Sequence, residues 1–166
     1  MKFMKTNDSW HRNMYDDRFA EKTIDAPHSH DLAAKEVSFL SRVLSLKSGA
    51  KILGIPCETG RHAVLFAKSG FTVTGIDINP DCLKRARRDQ RKTTVDFRHG
   101  DMSYLRQLRG KFDAVVNLFS SFGYFSTDQR NKAVLQELIS NLKPGGLIAI
   151  HLVNLVEENQ GGRKTP

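Results

Sequence analysis

Short apolar runs alternate with stretches whose apolar residues recur every three or four positions. Ile52, Leu53 and Ile55 predict a first strand at about 51–55. Further strands are predicted at 72–76, at 95–98, at 112–118 with Ala114, Val115 and Val116, and at 147–153. Runs this apolar suit parallel strands covered on both faces. Helices are predicted at about 60–68, 80–91 and 128–142. The last of these is capped near Ser126 or Thr127, turns Leu135, Leu138, Ile139 and Leu142 to the core, and stops at Lys143-Pro144-Gly145-Gly146. Ahead of the first strand, Ala33, Val37, Leu40 and Leu44 share one face of a helix over 31–46, ended by Ser48-Gly49. Strands and helices in strict alternation imply an α/β fold, a parallel sheet with helices on both faces.

At 166 residues the chain suits one domain, expected at 31–156, with an N-terminal segment at 1–30 and a polar tail at 157–166. Trp10, Tyr15 and Phe19 give the N-terminal segment two readings: a short helix over a ligand crevice, or a frayed arm with anchoring aromatics. With 39% hydrophobic and 27% charged residues the composition is that of a soluble globular protein. No run of about 18 apolar residues suggests a membrane span, and Met1 to Asp8 lacks the apolar core of a signal peptide. Two cysteines, Cys57 and Cys82, make no disulfide framework, and no metal-site spacing is present. The expected setting is cytoplasmic.

The net charge of +8 owes much to Lys84, Arg85, Arg87, Arg88, Arg91 and Lys92. No aromatic residues interleave them for base stacking, so a solvated helix face over a buried stripe of Cys82, Leu83 and Ala86 is favoured over an RNA footprint.

The chemistry concentrates between Ala50 and Pro80. Gly-Ile-Pro-Cys-Glu-Thr-Gly-Arg-His, at 54–62, is a tight turn from strand into helix, and Gly60 falls where amides at a helix start can face a ligand. Asp77 ends the second strand, in Gly-Ile-Asp-Ile-Asn-Pro, where a carboxylate can accept both hydroxyls of a ribose. Gly100-Asp101-Met102 follows the third strand, Phe-Asp-Ala-Val-Val-Asn-Leu-Phe forms the fourth, and Leu-Lys-Pro-Gly-Gly precedes the fifth. In that order and spacing the chain, from about Val37 to Asn154, resembles the class I S-adenosylmethionine-dependent methyltransferases. It is most similar to the branch with a Pro-Cys-Gly-x-Gly-Arg-His turn. The resemblance implies a Rossmann-like doubly wound sheet of five strands in the order 3-2-1-4-5, without the family's last strands. It implies S-adenosylmethionine as cofactor, with Asp77 on the ribose, Ile78 beside the adenine, Asp101 and Met102 at the adenine edge, Cys57 and Gly60 in the turn, and Asn117 facing the transferable methyl. It names no catalytic base, and the methyl acceptor is unidentified, a small molecule before RNA.

Two positions depart from the pattern. Gly54 stands where the family has an acidic residue at the end of strand one, and Glu58 where it has a turn glycine. Glu58 implies backbone strain if the turn needs φ > 0 there. These departures, and an apolar fifth strand left as a sheet edge, keep a second reading beside the enzyme: a degenerate module that binds cofactor weakly or serves as a partner surface. The edge at 147–153 also invites self-association. A nicotinamide-dinucleotide enzyme is disfavoured, because the turn lacks Gly-x-Gly-x-x-Gly spacing. His62 reads as a loop-orienting residue, and His151 as a satisfied core histidine within strand five.

Overall fold

A computed structural model describes residues 27–152, apart from 91, 92, 106, 107, 109 and 110. The aromatic N-terminal segment and the polar tail lie outside them. The described elements are α1 (Pro27–Val43), β1 (Lys51–Gly54), α2 (Arg61–Lys68), β2 (Thr72–Asp77), α3 (Pro80–Asp89), β3 (Val95–His99), β4 (Phe112–Asn117), α4 (Asp128–Ser140) and β5 (Leu142–Ile150). The five strands are all parallel, in the order β3-β2-β1-β4-β5. The expected Rossmann-like architecture is therefore present. Adjacent residues of one strand feed opposite faces, as the pleat requires. Ile52, Val73 and Val116 pack with Val37, Phe66, Leu83 and Ala86 from the α1–α3 layer. Leu53, Ile76 and Val115 pack with Val134 and Leu138 of α4.

Local chemistry explains the helix starts. The Asn79 side chain accepts from the amides of Asp81 (2.9 Å) and Cys82 (3.3 Å) ahead of α3, with Pro80 at its first position. Thr127 caps α4 by accepting from Arg130 N–H. Cys82, Leu83 and Ala86 are the buried stripe of α3, and Arg87 reaches from the solvent side to the Phe97 carbonyl at 2.8 Å.

Three expectations need correction. The first helix ends at Val43, short of Ser48-Gly49, because Ser45 turns to φ 49° and its N–H bonds the Arg42 carbonyl. The buried face of α4 is Val134 and Leu138, while Ile139 is 48% exposed and Leu135 only half-buried. The helix also stops at Ser140, before Lys143-Pro144-Gly145-Gly146. The Asn141 carbonyl accepts from Lys111 and Phe112 N–H, and its side chain donates to the Glu137 carbonyl at 2.6 Å, which pulls the chain into the sheet early. Leu142 then pairs with Phe112 and Leu147 with Ala114, so Lys143 to Gly146 bulge out opposite Asp113. Asp113 anchors the bulge through Lys143 Nζ and the Lys51 amide, each at 2.7 Å. Among the described residues β5 pairs only with β4, and Leu147 on this edge is 46% exposed.

Candidate functional site

In a parallel sheet all strands end on one side, and the order reverses between β1 and β4, which opens a crevice beyond their carboxyl ends. Gly54, Asp77, His99 and Asn117 are the last residues of β1 to β4. All seven of the sequence-predicted residues follow or end these strands: Cys57 and Gly60 after β1, Asp77 and Ile78 at β2, Asp101 and Met102 after β3, and Asn117 at the close of β4.

The turn after β1 is bound to β2 by its backbone. Cys57 N–H donates to the Ile76 carbonyl at 2.8 Å, Gly60 N–H to the Cys57 carbonyl at 2.8 Å, and Glu58 N–H to Asp77 Oδ2 at 2.7 Å. Asp77 Oδ1 accepts from Asn79 N–H at 2.8 Å. Asp77 is 5% exposed; burial raises its pKa, opposed by the amides of Asn79, Glu58, Ile78 and Cys57. Each Asp77 oxygen spends one lone pair on these bonds and retains capacity for a further donor.

Glu58 adopts φ 50°, the strain expected of a side chain at that turn position. Burial pushes its carboxyl up from 4.5 to about 7, with the nearby Asp77 charge adding and Arg61 opposing. Gly60 lies at φ 80°, and a Cβ there would meet the Phe97 ring at 2.5 Å and Ala86 Cβ at 3.0 Å. The crowding at Gly60 thus comes from packing on β3 and α3. Gly75 is pinned by the same ring, at 2.8 Å. A Cβ at Gly54, by contrast, would meet nothing nearer than Val116 Cγ2 at 3.9 Å. A small space of about 30 Å³ opens there, lined by Gly54, Cys57, Glu58, His62 and Phe119 among others.

The remaining predicted residues are placed as follows. The Cys57 thiol is held well above its usual pKa, first by burial and then by Asp77, which suits a packing residue. Ile78 is half-buried, and its carbonyl bonds His99 Nε2 at 3.0 Å. Asp101 Oδ1 accepts from Ser103 N–H (2.9 Å) and Oγ (2.7 Å), fixing the loop after β3, and Met102 packs on the α4-side core. Asn117 is fully buried: Nδ2 donates to the Ile55 carbonyl at 2.8 Å, and Oδ1 has no partner among the described residues.

One cluster was invisible in the sequence. Phe119 and Ser120, directly after β4, both take positive φ, 56° and 53°. The Phe119 ring contacts the rings of His62 (5.3 Å between centroids) and His151 (5.7 Å), with the Arg61 guanidinium 5.2 Å from its centroid. His62 Nε2 meets Glu36 Oε2 of α1 at 2.7 Å, and burial lowers the His62 pKa against the pull of Glu36. His62 thus ties the start of α2 to α1 and to the Phe119 ring. His151 lies past the end of β5, is exposed, and accepts from Phe119 N–H; the core-histidine expectation fails because β5 ends at Ile150. A glycine, asparagine or aspartate would have signalled positive φ in advance, and none stands at 119 or 120.

No described group of histidine, cysteine or carboxylate side chains is arranged to hold a metal ion, and no described helix is long and apolar enough to cross a membrane.

A five-stranded 3-2-1-4-5 sheet with a buried carboxylate after β2 and a tight turn after β1 defines a nucleotide-binding α/β domain. Residues 52–146 match the methyltransferase domain family. The chain is 34% identical, over 61% of its length and 41% of the other's, to dTDP-3-amino-3,4,6-trideoxy-alpha-D-glucopyranose N,N-dimethyltransferase of Streptomyces venezuelae. It is 28% identical, over 89% and 57% respectively, to the glycine/sarcosine N-methyltransferase of Aphanothece halophytica. The structure of SAM-bound CalS10, an amino pentose methyltransferase from Micromonospora echinaspora, superposes with a TM-score of 0.64 at 28% identity, over 84% of this chain and 58% of that one. The chain belongs to the S-adenosylmethionine-dependent methyltransferase domain family. It spans about half the length of the curated relatives it matches.

Proposed function

We propose that this chain binds S-adenosylmethionine across the carboxyl ends of β1, β2 and β3 and transfers its methyl group to a nitrogen of a small molecule. The observation that carries the reading is Asp77: a buried carboxylate at the end of β2, clamped by two amides and still able to accept from a ribose. The space left by Gly54, unobstructed to 3.9 Å, lies at the end of the neighbouring strand β1. Asp77 would hold the ribose, Ile78 would lie beside the adenine, and Asp101 with Met102 would line its edge. Cys57 and Gly60 would form the turn against the cofactor, and Asn117 would stand at the reacting end of β4.

The bound cofactor supplies an electrophilic methyl on a sulfonium, and the bonding pair stays on sulfur when the methyl leaves. No covalent nucleophile is required of the protein. Its residues have to orient the acceptor and keep water out. Two relatives carry N-methyltransferase names, which supports nitrogen as the accepting atom.

The test is turnover: methyl-labelled cofactor is offered with a panel of small amines, and label transfer and S-adenosylhomocysteine release are followed. Transfer to at least one amine, lost in Asp77→Ala, is the expected result. Glu58, with φ 50° at the turn, favours the degenerate-module reading; no transfer with any amine, together with no cofactor binding, would establish that reading instead.

A further inference from the structure

Beyond the cofactor crevice, a groove of about 280 Å³ runs between α1 and β5. Among the described residues its walls are Phe39, Leu40, Leu118, Phe119, Ala149 and Ile150, with Glu36 and His151 as the titratable groups. Leu118 and Phe119 also line the small space beside Gly54, so the groove and that space share one wall. The groove has room for roughly ten non-hydrogen atoms at about 30 Å³ each, the volume water takes in the liquid.

Among the described residues that line it, Glu36 is the single carboxylate, and its side chain is 28% exposed. Its Oε2 is occupied by His62 Nε2 at 2.7 Å. The carboxylate accepts, so the Nε2 proton donates and the side chain is fixed on one side, leaving Oε1 as acceptor for a further donor. Arg61, the nearby cation, does not line the groove. His151 accepts from Phe119 N–H at Nδ1, 3.4 Å away, in the tautomer that leaves Nε2 as a second hydrogen-bond donor. A half-dry groove with one oriented carboxylate favours a positively charged donor over a neutral one.

From this we infer that the α1–β5 groove is the acceptor-binding site, taking a primary or secondary amine on a mainly apolar body, with Glu36 as the carboxylate that pairs with the ammonium on binding; the nitrogen then gives up that proton, to Glu36 or to water, before its lone pair takes the methyl. The inference rests on the methyl-transfer reading, but its test does not use the cofactor. Glu36 is a specificity-determining residue here, positioned by His62.

The probe is benzylamine, with benzyl alcohol as neutral isostere, titrated into the cofactor-free full chain and followed by amide chemical shifts. Benzylamine should give saturable shifts at residues 36–40, 118–119 and 149–151, and bind about tenfold tighter than the alcohol. Glu36→Gln keeps an oxygen for His62 and removes the charge. It should bind the alcohol as the parent does and bind the amine no more tightly. Ala149→Phe, which fills the groove, should lose both ligands while its thermal melt stays cooperative. Equal affinity of the parent chain for amine and alcohol, shifts confined to other residues, or a preference that survives Glu36→Gln would each overturn the inference. None of these outcomes depends on whether S-adenosylmethionine binds, so a failed cofactor titration is separately readable.

Discussion

Glu58 places an acid in a strained, poorly solvated turn against Asp77, and its removal should make the fold more stable as pH rises. Its carboxyl is pushed from 4.5 to about 7, so the folded chain keeps a proton there that the unfolded chain has released. Below pH 4.5 both states are protonated and nothing is lost. Between pH 4.5 and 7 the unfolded state gains relative to the folded one, and above 7 the loss is complete. At about 1.36 kcal/mol per pKa unit the loss is roughly 3 kcal/mol. Glu58→Gln has no such proton, so urea-unfolding free energies of the two proteins should agree near pH 4.5 and diverge by about that amount at pH 8, the variant being the more stable. Asp77 is also raised by burial, but it is present in both proteins and cancels in the difference. Glu58→Gly should track Glu58→Gln to within about 1 kcal/mol, since relief of φ 50° is offset by the backbone entropy of glycine. Parallel curves for parent and Glu58→Gln from pH 4.5 to 8 would refute the burial and charge argument at this turn.

Gly60→Ala and Gly75→Ala should each cost about 2 kcal/mol or more in urea unfolding, because their Cβ atoms would strike the Phe97 ring at 2.5 and 2.8 Å. Phe97→Leu should recover part of the loss; full tolerance of alanine at Gly60 would show that the ring gives way. The Cβ of Gly54→Asp meets only an ordinary contact, Val116 Cγ2 at 3.9 Å, and paired with Glu58→Gly the variant should fold and bind S-adenosylmethionine about tenfold tighter by calorimetry. An unchanged affinity would remove Gly54 and Glu58 as the cause of any weak binding.

Much of the fold was written in the apolar runs. Ile52-Leu53 and Ala114-Val115-Val116 have no partner for their side chains except helices on both sides, so a buried parallel sheet follows from them. The α4–β5 junction was less legible. Pro144 and two glycines read as a helix stop, yet the stop is set earlier by Asn141, whose carbonyl is claimed by Lys111 and Phe112 from thirty residues away in the chain. Such a long-range bond leaves no local mark. The face of α4 was misread for a related reason: four apolar residues offered two overlapping stripes, and contact with the sheet chose the one through Val134 and Leu138. At the site, the place of Asp77 was legible, because the apolar run before it fixes where the second strand ends. The ring cluster around Phe119 was not, since it depends on positive φ at two residues that have no sequence preference for it. The reason Gly60 must be glycine was legible only in part, because Phe97 lies on a strand whose register the sequence does not state.

Calorimetric titration of S-adenosylmethionine into the chain, beside Asp77→Ala, bears on the whole of this reading. Saturable heat in the parent, with affinity at least tenfold weaker in the alanine variant and an intact melt in both, is what a ribose held by Asp77 requires. Binding that is indifferent to Asp77→Ala, or no heat from the parent chain at millimolar cofactor, would mean that the carboxylate at the end of β2 serves only to hold Glu58 and Asn79.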